Sequence, residues 1–238
     1  MIHHEAMSFI DVVDTEDDPA RLVDRYTLFT RKIDFKAYIL TGLPAIGSNV
    51  EPLIIAADWP KAWMDRYRDR DFFVNDPVAR WSRSRQRAFR WAEAIAANPG
   101  AETTEIAREA AAFGFVDGIA IPLRSERMWK VVASLASDRP LALTASEIAH
   151  IETATAYFYQ RHEDIIAKSA LKRPALTPRE VEVLKWCAAG KSAWEIGKII
   201  GISEATTVIH RKSAMKKLDC SNTTQAVVIA IEAGLLKA

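Results

Sequence analysis

The sequence predicts an α+β protein, with an N-terminal α/β/α sandwich around an antiparallel sheet and a C-terminal domain of four helices. Two β-rich stretches, residues 116–123 and 129–137, are separated by a short charged turn, which is typical of an antiparallel pair. Apolar residues recur at helical spacing over residues 145–170 and predict a long helix. From residue 177 onward, four short helical segments each begin at a capping residue. A mixed segment followed by helices alone indicates two domains.

The remaining elements of the N-terminal domain follow from local periodicity. Trp63 and Tyr67 stand four positions apart, so they share one face of a helix. Turn residues over 42–49 separate two short strand-like runs. The predicted elements are a helix over residues 20–36, strands over residues 37–43 and 52–57, and helices over residues 60–70 and 103–113.

The long helix carries a regular stripe of mostly apolar residues. Its members alternate in spacing between three and four, which is the spacing of a heptad: Ile148, Ile151, Thr155, Phe158, His162, Ile165 and Ser169. Such a stripe packs on the protein's own sheet or against a second copy of the chain, and the two arrangements are compatible. Charged residues and a proline follow the long helix and predict a linker at residues 168–175. This linker separates an N-terminal domain at residues 1–167 from a C-terminal domain at residues 176–238.

Composition and charge limit the function of the chain. Hydrophobic residues make up 49% of the 238 residues, which is ordinary for a soluble protein, and the longest apolar runs are too short to cross a bilayer. Without a secretory leader, the chain is expected to be cytoplasmic and to have no membrane partner. From residue 172 onward, 11 basic and 6 acidic residues give a net charge of +5, against −4 for the rest. This asymmetry indicates that the C-terminal domain meets a polyanion.

The sequence lacks the motifs of enzymes and metal sites. It contains no GxSxG, no P-loop, no HExxH and no paired cysteines at metal-binding spacing. Cys187 and Cys220 are expected to be ordinary small buried side chains, and the end that carries His3 and His4 is expected to be disordered. We therefore expect no catalytic residue, no metal ligand and no cofactor, and we expect that the chain is not an enzyme.

The C-terminal helices carry strong capping signals. Thr177 and Ser192 each begin a capping box, and Ser203 and Ser221 are expected to cap the third and fourth helices. A tight link around Gly201 joins the second and third helices, as a helix-turn-helix requires. In that motif the second helix of the pair enters the major groove of DNA. The third helix, residues 204–218, is rich in basic residues, which agrees with this function.

The C-terminal sequence resembles the LuxR-type DNA-binding domain. The resemblance runs without gaps from about residue 176 to residue 236 and rests on the segments LTPRE (176–180), VL (183–184), GKS (190–192), EI (195–196), IS (202–203), His210, AMKKL (214–218), SN (221–222) and QAV (225–227). Two positions depart from the family. Thr207 follows Thr206 where relatives usually have Val, and Val208 occupies a position that is often polar or basic.

These features predict the residues that contact DNA. Hydroxyl and basic groups near helix ends commonly meet phosphates, whereas Val208 and Lys212 lie one turn apart and can face the bases together. The alternative is a rotated helix, with Val208 in the core and Thr207 facing DNA. The full predicted set is Lys191, Ser203, Thr206, Val208, His210, Arg211, Lys212 and Lys216.

The N-terminal sequence resembles the acyl-homoserine-lactone receptors, the quorum-sensing branch of the same family. The resemblance rests on Trp63, Tyr67, Asp76-Pro77, Trp91 and Gly118, together with the strand-like segments GIAIPL (118–123) and ASLASD (133–138). With the C-terminal match it covers roughly residues 50–238. It implies a transcription regulator that binds a lactone signal, a promoter operator with two-fold symmetry and, in addition, RNA polymerase. The active species is expected to be a homodimer, because one recognition helix reads only a few base pairs and symmetric pairing places two in successive major grooves. The expected role is that of an activator, although the sequence itself does not name the sign of regulation.

The resemblance assigns roles that the chemistry of the ligand supports. Each buried polar group of the ligand needs a partner. Trp63 would donate to the lactone carbonyl, and Asp76 would accept from the amide N–H. Tyr67 and Ser134 would donate to the acyl carbonyl, and Trp91 would lie against the lactone ring.

One departure concerns the acyl group of the ligand. Position 59, often Tyr in relatives, is Trp here, and its expected neighbours in the pocket include Tyr38, Phe72 and Trp81. Additional bulk would favour a short, branched or aromatic acyl group, unless Trp59 forms the outer wall. A LuxR-type solo receptor for a non-lactone signal is the alternative. In such proteins the Trp and Tyr of the signature are often altered, whereas Trp63 and Tyr67 are intact here.

Overall fold

The computed structural model describes residues 1–43, 54–125, 129–171, 175–232 and 235–236. The chain divides into two units, Met1–Glu163 and Asp164–Ala238. In chain order the elements before the long helix are α1 (Ile2–Val13), α2 (Pro19–Lys32), β1 (Ala37–Gly42), β2 (Ile54–Ala57), α3 (Lys61–Asp69), α4 (Phe72–Asn75), α5 (Pro77–Ser84), β3 (Phe89–Arg90), α6 (Trp91–Ala97), α7 (Ala101–Ala112), β4 (Asp117–Leu123) and β5 (Val131–Ser137). They are followed by α8 (Ala145–Leu171), α9 (Pro178–Ala188), α10 (Ala193–Ile200), α11 (Glu204–Lys217) and α12 (Thr223–Glu232).

The described strands form one antiparallel sheet in the order β2-β1-β5-β4-β3. In the centre of the sheet, Ser134 of β5 pairs with Ile39 of β1 and with Ala120 of β4. Because side chains alternate along a strand, each strand sends every second residue to the same face. The predicted antiparallel sheet is confirmed. Residues 44–49 and 52–53, for which a turn and part of a strand were predicted, lie outside the described residues.

One face of the sheet is covered by α2 and α8. The Tyr26 ring stacks on Phe158 at 4.1 Å and meets the edge of Tyr38 at 4.8 Å. The Tyr26 hydroxyl lies 2.9 Å from the Thr155 hydroxyl, so this buried polar group is paired. Thr155 and Phe158 of the stripe on α8 therefore pack on α2 of the same chain, and Ile151 of the stripe is also buried. Helices α3 to α7 lie on the opposite face of the sheet. The predicted α/β/α sandwich is confirmed.

The N-terminal end is helical, so the expectation of disorder was wrong. Four apolar side chains of α1 are buried at helical spacing: Ile2, Ala6, Phe9 and Val13. The Phe9 ring stacks on Phe29 of α2 at 4.7 Å. Each buried aromatic or aliphatic side chain stabilises the docked helix by about 1.5–3 kcal/mol, which outweighs the cost of ordering the end. On the exposed side, His3 Nδ1 lies 2.9 Å from His150 Nε2 of α8.

The C-terminal helices begin where the capping signals predict. The Thr177 hydroxyl accepts from the backbone N–H of Glu180, and Ser192 and Ser203 make equivalent bonds. The exception is α12, whose cap is Asn222 rather than Ser221, because the Asn222 side chain accepts from the N–H of Gln225 at 2.8 Å. The core of this bundle contains Leu184, Ala214, Leu218, Ala226, Ala230 and Leu236.

Glu180 forms a buried polar network in this bundle. Its carboxylate accepts from Ser213 Oγ at 2.7 Å and from Lys217 Nζ at 2.8 Å, and it also accepts from the backbone N–H of Thr177. Burial raises the pKa of Glu180, but these hydrogen bonds outweigh burial and lower the pKa to about 2. The network therefore ties the start of α9 to the end of α11.

The long helix α8 continues to Leu171, into the range predicted as linker, of which residues 172–174 lie outside the described residues. The limits of the linker and of the two domains stay predictions. Among the described helices, none is both long and apolar enough to cross a membrane.

Candidate ligand pocket and recognition helix

A cavity of about 90 Å³ lies between the sheet and the helices α3 to α7. The sheet contributes Ile39 and Thr41 of β1 together with Val132 and Ser134 of β5, which are alternate residues on one face. The lining is largely apolar, as is usual for a site that buries a small organic molecule.

Two aromatic residues of α3 form one wall. Trp63 and Tyr67 are both buried, and their ring centroids are 5.7 Å apart. The indole nitrogen of Trp63 is buried, and it has no hydrogen-bond partner among the residues that the structure describes. An unpaired N–H in such a place costs about 1–3 kcal/mol, so a partner supplied by a ligand would recover this free energy.

Asp76 provides the carboxylate of the pocket. It is the N-cap of α5, where one oxygen accepts from the backbone N–H of Val78 at 2.7 Å. Its other oxygen accepts from the Tyr67 hydroxyl at 2.7 Å. Burial raises the pKa of Asp76, and hydrogen bonds from Tyr67, Val78 and Ala79 oppose this rise only in part. Burial, and then the neighbouring carboxylate, raises the pKa of Tyr67 well above its usual value.

Trp91 and Ser134 form another part of the lining. The indole N–H of Trp91 donates to Ser134 Oγ at 3.1 Å. The Trp91 ring lies directly over Gly118 of β4, where an added Cβ would lie 2.5 Å from the ring and 2.4 Å from the carbonyl oxygen of Leu135. The absence of a side chain at Gly118 therefore lets the indole approach the strand closely.

The second unit presents helix α11 with one buried and one exposed side. Thr207 and Ala214 are fully buried, and the Thr207 hydroxyl donates to the carbonyl oxygen of Ser203 at 3.2 Å. The exposed stripe consists of Ala205, Ile209, Lys212 and Lys216. The link from α10 turns at Gly201, whose φ of 73° is in the left-handed region that favours glycine.

Sequence comparison identifies the family of both units. Residues 18–162 match the family described as autoinducer binding domain, and residues 174–230 match the bacterial regulatory proteins of the luxR family. The chain belongs to the LuxR family. It is a quorum-sensing transcription regulator with an autoinducer-binding domain and a helix-turn-helix DNA-binding domain.

Individual LuxR-family relatives match nearly the whole chain. The quorum sensing-dependent transcriptional regulator RpaR of Rhodopseudomonas palustris is 33% identical over 235 residues, covering 98% of this chain and 95% of the relative. The transcriptional activator LuxR of Aliivibrio fischeri is 28% identical, covering 86% and 84%. The crystal structure of Escherichia coli SdiA has a TM-score of 0.63 at 20% identity and covers 98% of both chains, which shows a shared fold.

In this LuxR-family chain, the structure brings most of the predicted ligand residues together. The pocket lining includes Trp59, Trp63, Tyr67, Asp76, Trp91 and Ser134.

Tyr38 lies elsewhere, so its prediction is corrected. It neighbours Ile39 on β1 and therefore points to the opposite face, where its hydroxyl lies 3.0 Å from the Thr27 hydroxyl and its ring meets Tyr26. The alternation of side chains along the strand could have shown this.

Phe72 and Trp81 stand behind the pocket rather than in it. The Phe72 ring packs on Trp63 at 6.1 Å and on Tyr67 at 6.0 Å, so it supports the aromatic wall from outside. Trp81 packs on Phe89 at 5.5 Å. Neither is part of the cavity lining.

Several lining residues were missed by sequence reasoning. Helix α7 contributes a stripe at positions i, i+3, i+4 and i+7, which consists of Thr103, Ile106, Ala107 and Ala110. Helical periodicity marks this stripe, but it does not say that the stripe borders a cavity rather than a filled core.

The predicted DNA residues occupy several environments in the second unit. Lys191, Ser203, Lys212 and Lys216 are exposed, and Thr206, Val208, His210 and Arg211 are half-buried. The Ser203 hydroxyl caps α11 and lies 2.8 Å from the Thr206 hydroxyl. Ile209, which sequence reasoning missed, is 64% exposed between Ala205 and Lys212. Apolar residues of a helix are more often buried, so the apolar character of Ile209 gave no signal of this exposed position.

Proposed function

We propose that this regulator binds an acyl-homoserine lactone in the N-terminal cavity and responds by binding an operator through its C-terminal domain. The observation that carries the proposal is the buried indole N–H of Trp63, which has no partner in the described part of the chain and lies in the same apolar cavity as the Asp76 carboxylate. A donor and an acceptor in an apolar enclosure fit a ligand that has a carbonyl, an amide N–H and an apolar tail.

The hydrogen bonds already present refine the roles in binding. Asp76 is held by Tyr67 and Val78, and its remaining lone pairs can accept from the ligand amide. Ser134 Oγ accepts from Trp91, which leaves its own hydrogen for the acyl carbonyl. Tyr67 already donates to Asp76, so Ser134 is the better donor to the acyl carbonyl.

Thermal unfolding with a panel of acyl-homoserine lactones tests this proposal. A ligand that binds the folded state alone, at roughly 100 times its dissociation constant, should stabilise the protein by about 2.7 kcal/mol. The ring-opened acyl-homoserine is the matched control, because its additional carboxylate would be buried without a cation. Equal melting with and without every lactone would contradict the proposal.

We further propose that the active species is a cytoplasmic homodimer on an operator with two-fold symmetry. One helix of the length of α11 reads only a few base pairs, and symmetric pairing places two such helices in successive major grooves. Val208 and Lys212 would face the bases. The groups that would meet phosphates or flank the bases are Lys191, Ser203, Thr206, His210, Arg211 and Lys216.

The burial of Thr207 supports this orientation of α11 over the rotated alternative. A promoter-bound dimer of this kind would act as an activator that contacts RNA polymerase. Sedimentation with operator DNA tests the stoichiometry, and one protomer on a full-length site would contradict it.

A non-lactone signal is the second candidate. SdiA, whose fold is similar with a TM-score of 0.64, has been solved in complex with octanoyl-rac-glycerol. An acylglycerol has an ester carbonyl for Trp63 but no amide N–H for Asp76. Including it in the thermal panel separates the two, because stabilisation by the acylglycerol alone would favour the second candidate.

A further inference from the structure

The first unit carries a group of cations that have no carboxylate partner. Among its described residues outside the segments 80–90 and 124–130, every Lys and Arg side chain forms an ion pair, as Lys36 does with Asp138 at 3.1 Å. Within the two segments, four exposed arginines pair with no described carboxylate: Arg80, Arg85, Arg87 and Arg124. The unpaired positive charge of this unit is therefore concentrated in two short segments.

The antiparallel sheet brings the two segments together. Leu123 of β4 pairs with Val131 of β5, so Arg124 and Lys130, which adjoin this pair, lie at the same end of the sheet. The side chain of Lys130 donates to the backbone carbonyl oxygen of Arg85, which holds the other segment against this end. We call the surface that these side chains form the basic surface, and it consists of Arg85, Arg87, Arg124 and Lys130.

The basic surface is not neutralised by the described part of the chain. Glu152 of α8 comes close, but its carboxylate accepts from the backbone N–H of Ala88 at 3.4 Å and not from an arginine. Like charges that share a surface repel each other, and residues 1–171 as a whole carry a net charge of −4. A cluster of exposed cations on an acidic domain therefore indicates an anionic partner.

Arg85 is held in one orientation by an aromatic ring. Its guanidinium carbon lies 4.2 Å from the centre of the Trp81 ring, and Trp81 in turn packs against Phe89 of β3 at 5.5 Å. A guanidinium that stacks on a ring keeps its N–H groups available for an anion. The planar fork of these N–H groups matches two oxygens of a phosphate group.

Two observations favour the phosphates of DNA as the partner. Ser84 and Gln86 are exposed and alternate with Arg85 and Arg87 along the chain, and hydroxyl, amide and guanidinium groups all donate to phosphates at protein–DNA interfaces. The chain also belongs to a family of DNA-binding regulators. A duplex, with one negative charge per about 1.7 Å of its axis, is therefore present whenever the regulator is bound to its target.

We propose that the basic surface is a second DNA-binding site, which contacts the phosphate backbone without reading the base sequence. Its contribution to affinity depends on salt, because each phosphate contact releases condensed counterions. The inference does not depend on which signal the cavity binds, because none of the four residues of the basic surface is part of the cavity lining.

Fluorescence anisotropy of the full-length protein on a labelled duplex of mixed sequence, about 40 base pairs or four helical turns long, tests the inference. The double variant Arg85→Gln/Arg87→Gln removes two phosphate contacts. The slope of log affinity against log salt should become shallower by about 0.9 for each contact, or about 1.8 in all. Between about 50 mM and 200 mM salt, the variant should therefore lose about tenfold less affinity than wild type does.

The matched control is Lys61→Gln/Arg108→Gln. Both side chains are exposed and lie in the same unit outside the basic surface, so the control removes the same amount of charge. It should keep the wild-type salt slope. Equal slopes of wild type and Arg85→Gln/Arg87→Gln would overturn the inference.

Photo-crosslinking identifies the partner directly and retains both arginines, so this readout is independent of the stability of the double variant. With benzoyl-phenylalanine in place of Gln86, irradiation should join the full-length protein to the duplex. The same amino acid in place of Thr104, which is exposed on α7, should give no such product. Absence of a DNA crosslink from position 86 would overturn the inference. Binding of polyglutamate that requires Arg85 and Arg87, with an unchanged salt slope on DNA, would overturn it in favour of an acidic protein.

Discussion

Asp76 is the residue at which the proposed recognition of the ligand amide can be tested most sharply. In Asp76→Asn the side-chain oxygen can still accept from the N–H of Val78, so the cap of α5 is retained. The charge is lost, and so is the acceptor for the Tyr67 hydroxyl at 2.7 Å. A charge-assisted hydrogen bond is worth about 1.5–3 kcal/mol, so lactone affinity should fall about 10- to 100-fold.

The assay is calorimetric titration of the lactone, with unfolding of the ligand-free variant as the control for folding. A matched control variant is Asp18→Asn, because Asp18 caps α2 by accepting from Ala20 at 2.8 Å and Arg21 at 3.0 Å, and it is not part of the cavity lining. The control should bind the lactone as wild type does. If folded Asp76→Asn binds with wild-type affinity, the placement of the amide against Asp76 is wrong.

Three further predictions concern the sheet, the buried network and the recognition helix. Gly118→Ala would bring a Cβ within 2.5 Å of the Trp91 ring, so lactone affinity should fall and the free energy of unfolding should decrease by about 1–3 kcal/mol. An unchanged melting temperature would contradict the packing argument. The pKa of Glu180 is lowered to about 2 from an ordinary 4.5, so the contribution of Glu180 to the stability of the folded protein is complete above pH 4.5 and is lost as the pH falls toward 2. Thermal unfolding of Glu180→Gln over the same pH range should lack this acid-dependent loss. Val208→Arg should leave the C-terminal domain folded and create a preference for guanine of about 1–3 kcal/mol in operator selection. Thr207→Arg should unfold the domain, because Thr207 is buried and an unpaired charge there is not tolerated. The reverse pattern would favour the rotated helix.

The C-terminal domain was predictable because its signals are local. A capping box such as that of Thr177 and Glu180 fixes the start of a helix within a few residues, and the structure forms it where the sequence places it. The cap of α12 was placed one residue early, since Ser221 and Asn222 are both good capping residues and only the backbone selects between them.

The sequence predicted the polar and aromatic ligand residues of the pocket, but not the residues that surround them. Trp63, Tyr67 and Asp76 could be recognised as ligand residues from their order and spacing in the sequence, and all three line the cavity. The prediction placed Tyr38 in the pocket because it is aromatic and lies near pocket residues in the sequence. Side chains alternate between the two faces of a strand, however, and Tyr38 lies on the face opposite the pocket. The burial of α1 depends on Phe9 meeting Phe29, a contact between helices that no local pattern indicates.

The central claim is that the cavity holds an intact acyl-homoserine lactone against Trp63 and Asp76. Mass spectrometry of protein purified from cells supplied with a panel of these lactones tests it most directly. We predict one unaltered lactone per chain on wild-type protein and a strongly reduced amount on Asp76→Asn. Protein that carries no lactone, or only its ring-opened product, would contradict the account.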